Sequence, residues 1–214
     1  MMKKLIIFDF DGVIADSFEY CLKINKILNK EITAQEYRSN FYGNFYKDFE
    51  VNKKKADVKK IYSAYWEEFE KNLHEISLFS GMYEILSTLA KEYNVAIVSS
   101  CKDEILEKIM EKENIKHFFQ AVYGSSYHQS KVEKFKHVLR DFKTENKNAI
   151  FITDTLGDLH EAESAGLESI AVSWGFHDVV TLEKGKSKII IHKPEELLSE
   201  IITHFKDLSM ETTN

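Results

Sequence analysis

Four short stretches of the 214-residue sequence carry side chains whose types and spacing suit polar chemistry. The first is Asp9-Phe10-Asp11-Gly12. In an extended chain residues two apart point to the same side, so both carboxylates face one space while Phe8 and Phe10 face the other. Gly12 then permits a sharp turn or a close approach to a ligand. The second is Ser99-Ser100, where a hydroxyl and adjacent N–H groups ahead of a helix can hold a phosphoryl oxygen. The third is Ser130-Lys131, with Lys134 one turn further on as a competing cation. The fourth runs from Thr153 to Asp158, and its two carboxylates, Asp154 and Asp158, suit a hard cation that takes oxygen ligands and keeps waters. Each stretch alone also has a plainer reading. Asp9 and Asp11 could be a solvated strand end, Ser99 a helix cap, Lys131 a surface residue, and Asp154 with Asp158 an acidic first turn that satisfies a helix dipole.

Position is what distinguishes these readings. Apolar runs of strand length occur at 5–8, 95–98, 121–123, 149–152 and 170–172, and each ends on polar or small residues. Helical stretches at 103–113, 132–142 and 156–165 lie between the later runs, an alternation that predicts parallel pairing through right-handed crossovers. A short strand at 189–191 and a helix after Pro194 complete the chain. With strand one central, two strands on one side and two on the other, all four stretches meet at the carboxyl ends of the strands, where open parallel sheets bind ligands.

Residues 17–78 interrupt this alternation with helical patterns and no convincing strand. Ser17 is expected to cap a first helix, and Thr33 with Glu36 forms a capping-box signature for a second. A third helix is expected over 53–72, with Ile61, Tyr65, Trp66 and Phe69 at helical spacing as packing residues. Gly81 marks the return to the main body. The expected organisation is thus a core of residues 1–16 and 79–214 carrying a helical subdomain of residues 17–78.

On these residues the sequence resembles the haloacid dehalogenase-like superfamily over nearly its whole length, with a helical cap inserted after the first strand. Residues 9–17 resemble its phosphoglycolate phosphatase and beta-phosphoglucomutase branch. The resemblance implies an α/β fold, a Rossmann-like three-layer core with a parallel sheet in the order 3-2-1-4-5. It places Asp9 and Asp11 in the family's first motif, Ser99 in the second, Lys131 in the third, and Asp154 with Asp158 in the fourth. Val132 stands where many relatives carry proline, and Thr153 where glycine or glutamate is common.

The implied activity is a Mg2+-dependent phosphatase, with Asp9 as nucleophile and Asp11 as general acid and base. The metal would be held by Asp9, Asp154, the backbone carbonyl of Asp11 and, through water, Asp158. Ser99, Ser100 and Lys131 would hold the phosphoryl oxygens. An acid at position 11 favours phosphate esters over carbon–halogen or carbon–phosphorus bonds. The alternatives are a phosphomutase and a non-catalytic phosphate-binding module. Within the cap, the loop 38–47 is the expected substrate selector through Arg38, Tyr42, Gly43 and Asn44, with the Arg38 guanidinium engaging a substrate carboxylate.

The remaining composition narrows the partners. A formal charge of −6 supplies no basic field for nucleic acid, and Lys53-Lys54-Lys55 reads as a solvated helix start. The apolar run after Lys4 stops at Phe8, too short for a secretory core, and no stretch reaches the length of a membrane span. Cys21 and Cys101 match no zinc or redox spacing and read as packing residues in a reduced, cytoplasmic setting. A small phosphorylated substrate is the expected partner.

Overall fold

The computed structural model describes residues 3–28, 30–44 and 55–211. Its centre is β1 (Leu5–Phe8), an unbroken apolar run with every residue buried, as a strand covered on both faces requires. β4 (Asn94–Val98) and then β5 (Ala121–Tyr123) pair on one side of it. On the other side lie β6 (Ala149–Thr153), β7 (Ser169–Val172) and β8 (Ile189–Ile191), and all neighbours run parallel. The order over the first five of these strands is the expected one, and β8 extends the β7 edge.

Alternation along β1 sends its side chains into two cores. Ile6 and Phe8 pack with α4 (Met82–Glu92), α5 (Asp103–Lys112) and α8 (Pro194–Glu211). Leu5 and Ile7 pack with α6 (Lys131–Asp141) and α7 (Leu156–Ser164) on the opposite face. The result is three layers. Register then fixes the site, because Phe8 pairs with Ile97 and with Ile152. The central strands end level, and the residues just beyond them emerge along one edge of the sheet.

The insertion holds α1 (Phe18–Leu28), α2 (Ala34–Ser39) and α3 (Lys55–Lys71). It differs from the sequence reading in having strand at its borders: β2 (Ala15–Asp16) pairs antiparallel with β3 (Ser77–Leu78). Two residues per strand are too few to leave a period-two pattern in the sequence. The capping box at α2 forms as read, with Glu36 N donating to Thr33 Oγ1 at 3.1 Å and Thr33 N donating to Glu36 Oε2 at 2.8 Å. Trp66 and Phe69 are buried, and the Tyr20 hydroxyl donates to the Phe69 carbonyl at 2.6 Å, joining α1 to α3. Lys53 and Lys54 of the lysine run lie outside the described residues. Among the described residues no helix is long and apolar enough to cross a membrane.

Because Ile7 is fully buried at the centre of the sheet, Ile7→Ala should remove about 2–5 kcal/mol of stability. Urea unfolding of the two proteins checks this as a lowered midpoint with an unchanged slope.

Candidate active site

The ladder of β1 continues one residue past its end, since Asp9 N donates to the Ile152 carbonyl at 2.9 Å. Asp9 is thereby fixed at the sheet edge, and Phe10 N donates to its Oδ1 at 2.7 Å. The chain then turns sharply: Ile14 N and Ala15 N both donate to the Phe10 carbonyl at 3.0 Å. Gly12 has φ of +75°, and a Cβ there would collide with the Asp154 carboxylate and the Phe176 ring, so glycine is required on both counts. Asp11 lies within this turn. Ser17, expected as a helix cap, donates its hydroxyl to Asp11 Oδ1 at 2.8 Å and fixes that carboxyl.

At the end of β4, Ser99 Oγ accepts from Cys101 N at 3.0 Å. It does not cap α5, whose N-cap is Lys102 without a side-chain bond. Lys131 opens α6 but is no surface residue, being 2% exposed. Its Nζ lies 2.7 Å from Asp9 Oδ2 and 2.7 Å from Asp158 Oδ2. Lys134, the competing cation, is fully buried behind the Ser99 loop and donates to the Ser99 carbonyl. Beyond β6, Asp154 Oδ2 accepts from Phe176 N at 2.7 Å. Asp158, in the first turn of α7, also accepts from Thr153 Oγ1 at 2.8 Å.

Burial sets the charge balance of this cluster. It raises the pKa of Asp9 well above the carboxylate range despite the opposing pull of Lys131, and it raises Asp11 as well. Asp154 is pushed up to about 7, chiefly by burial, with Asp158 adding repulsion. Burial also works against ionised Asp158, but Lys131 and the surrounding hydrogen bonds outweigh it and leave that pKa below its ordinary value. The cluster is short of positive charge.

A hard divalent cation fits this deficit. Asp154 Oδ1 is buried with no hydrogen-bond partner among the described residues, and the donors nearby are oxygens. Among the described residues no three His, Cys, Asp or Glu side chains converge to cage a metal. Backbone oxygen and water would complete the shell.

A cavity of ≈ 140 Å³ opens above these groups, reached by Asp9, Asp11, Ser99, Ser100, Lys131 and Asp158. Gly43 and Asn44 of the expected selecting loop line it, whereas Arg38 and Tyr42 do not. The Arg38 guanidinium stacks 3.9 Å over the Phe18 ring and its Nε donates to the Phe176 carbonyl at 2.6 Å. A planar cation that finds both a ring face and a carbonyl at the junction is held there, away from the cavity. Tyr42 packs against His177 with ring centroids 5.3 Å apart. Residues 45–47 of that loop lie outside the described residues. Cys21 and Cys101 are buried as expected but also line the cavity.

Glu161 and Ser17 were not foreseen at the site. Glu161 Oε1 accepts from Ser130 Oγ at 2.8 Å, Lys131 N at 2.9 Å and Asn44 Nδ2 at 3.0 Å, linking α6, α7 and the cap loop. Its place three residues after Asp158, on the same helix face, was the available signal.

Residues 6–172 match the model of the family described as haloacid dehalogenase-like hydrolase. The chain belongs to that family. It is 25% identical to a phosphoglycolate phosphatase of Aquifex aeolicus, over 94% of this chain and 98% of the relative. A predicted phosphatase from Clostridium acetobutylicum has the same fold, with a TM-score of 0.83 at 20% identity over 95% of this chain and 100% of that one. So does the haloacid dehalogenase-like family hydrolase SP0104 from Streptococcus pneumoniae, with a TM-score of 0.78 at 23% identity over 94% and 99% of the two chains. As a member of this family with phosphatases among its full-length relatives, the chain is a phosphatase-type hydrolase. Phosphatases of the family typically use a divalent metal.

Burial, reinforced by Lys131, lowers Lys134 from 10.5 to about 8. Between those values the unfolded chain binds the additional proton, so this residue lets stability rise with pH across that window. The stability of Lys134→Met relative to wild type should therefore be highest below pH 8 and fall by about 3 kcal/mol toward pH 10.5. Paired urea titrations along this pH series check it. Arg38→Ala should lower thermal stability by about 1–3 kcal/mol, through lost stacking and a lost charge-assisted hydrogen bond. Calorimetry at neutral pH measures that loss.

Proposed function

We propose that this protein is a magnesium-dependent phosphatase that hydrolyses a small phosphorylated metabolite through an aspartyl phosphate on Asp9. Residues 17–78 act as a cap over a core of residues 1–16 and 79–214. The observation that carries the reading is the contact of Asp9 Oδ2 with Lys131 Nζ at 2.7 Å, at the floor of a cavity that Asp11 also lines. A carboxylate oxygen and a phosphate dianion repel each other, and a fixed ammonium beside the attacking oxygen offsets that repulsion.

In this mechanism Asp9 attacks phosphorus and the ester P–O bond breaks, while Asp11 gives its proton to the departing alkoxide. Asp11 then takes a proton from the water that attacks the phosphoenzyme, releasing phosphate and restoring Asp9. Its burial-raised pKa suits a group that begins as an acid, and Ser17 fixes its orientation. Ser99, Ser100 and Lys131 hold the non-bridging oxygens. Lys134 supports the Ser99 loop from behind. Magnesium would be held by Asp9, Asp154 and the Asp11 carbonyl, with Asp158 acting through water. When bound, it supplies positive charge to the phosphoryl oxygens.

The test is phosphate release with and without the carboxylates. Asp9→Asn should abolish turnover while keeping the thermal midpoint of wild type or exceeding it, because it removes a buried carboxylate. Asp11→Asn should slow ordinary alkyl esters by about a hundredfold or more, and an ester with a good leaving group should recover part of that loss. Chelation should stop wild-type turnover, magnesium should restore it, and calcium should not. Full turnover by Asp9→Asn, or in excess chelator, would contradict the assignment.

A further inference from the structure

Beyond the phosphoryl site, the cavity wall is formed by Tyr37, Phe41, Tyr65, Trp66, Phe69 and Phe176. Among the described residues that line the cavity, the one cationic side chain is Lys131, and it already faces two carboxylates at 2.7 Å each. Asp9, Asp11, Asp158 and Glu161 line the same space, so its carboxylates outnumber its ammonium. Arg38, the cap cation expected to face a substrate acid, is held by Phe18 and Phe176 instead.

The polar groups at the cap end are neutral. Burial pushes the Cys21 thiol up to about 12 and raises the Tyr37 and Tyr65 hydroxyls well above their ordinary range. Asn25 adds an uncharged amide whose Nδ2 donates to the Cys21 carbonyl at 2.8 Å. These groups can accept or donate a hydrogen bond, but none can balance an anion.

Among the described residues, a leaving group bearing its own carboxylate would meet aromatic rings and neutral polar groups at this end of the cavity, with Lys131 already engaged by Asp9 and Asp158. Burying a charge unpaired is among the costliest changes a site can ask of a ligand. Aromatic walls reward an apolar or planar group with dispersion and edge-to-face contact. From this geometry we infer that the cavity selects an uncharged, largely apolar alcohol, so that the preferred substrate is a phosphate monoester of such an alcohol and not of a hydroxy acid. The inference deepens the phosphatase reading and rests on it.

Steady-state phosphate release by the full chain in magnesium, from benzyl phosphate, 2-phosphoglycolamide and 2-phosphoglycolate, tests it. All three are esters of primary alcohols, and the last two are close in size and differ chiefly in the charge of the leaving group. The expected order of kcat/KM is benzyl, then glycolamide, then glycolate, with at least tenfold between the first and the last. A glycolate ester turned over as well as the glycolamide ester, or better, overturns the inference. Asp9→Asn assayed beside wild type separates this failure from that of the underlying reading. Release that depends on Asp9 but favours glycolate leaves the phosphatase standing and removes the leaving-group preference. Absence of release from all three esters and from acetyl phosphate overturns both.

Discussion

One buried ammonium lies between two carboxylates, one just past a strand and one on a helix, and much of the molecule serves to keep it there. Lys131 Nζ reaches Asp9 from β1 and Asp158 from the helix after β6, in a space that excludes most water. Such an arrangement survives only if the geometry is exact enough for attraction to offset the cost of desolvating every member. The level ends of β1, β4 and β6 supply that geometry, and Glu161 fixes the start of α6 by accepting from the backbone of Lys131 itself. A break in strand register would strand the charges apart.

By its own side chains the cluster is short of positive charge, in keeping with the anion and cation site proposed for it. Three of its four carboxylates are raised in pKa, and one buried oxygen of Asp154 has no partner among the described residues. The surrounding core carries this cost. Two apolar cores, one on each face of the sheet, hold the strands that bear the acids, so the local penalty is set against extensive burial elsewhere. Function here draws on stability built at a distance.

How much of this was legible in the sequence depended on the physical origin of each feature. The strands, and the places of Asp9, Asp11, Ser99 and Asp154 at their ends, followed from apolar run length and alternation, which are imprinted directly on residue order, whereas the strand order came from the family resemblance. The Thr33–Glu36 capping box was legible because its bonds span only three residues. Arg38 was misplaced because a guanidinium is equally at home on a substrate acid or on a ring face, and only tertiary placement of Phe18 and Phe176 decides between them. Ser17 stands directly ahead of α1, and nothing local announced that the turn at Gly12 would also bring its hydroxyl to Asp11. Lys134 is the clearest case, since no local pattern reveals that a lysine one turn inside a helix will be fully buried.

The loop that follows α2 rests on the first turn of α7. Gly157 N donates to the Phe41 carbonyl at 2.9 Å, and a Cβ on Gly157 would strike the Gly43 backbone. The loop that lines the cavity and the turn that bears Asp154 and Asp158 are therefore in direct backbone contact. Caps of this kind invite description as interchangeable modules laid over a fixed engine. In this chain the two parts meet backbone to backbone at Gly157, beside the side-chain contacts of Asn44 and Arg38. A replacement of the loop would therefore have to fit the acidic turn beneath it, so changes on the two sides of that contact are coupled.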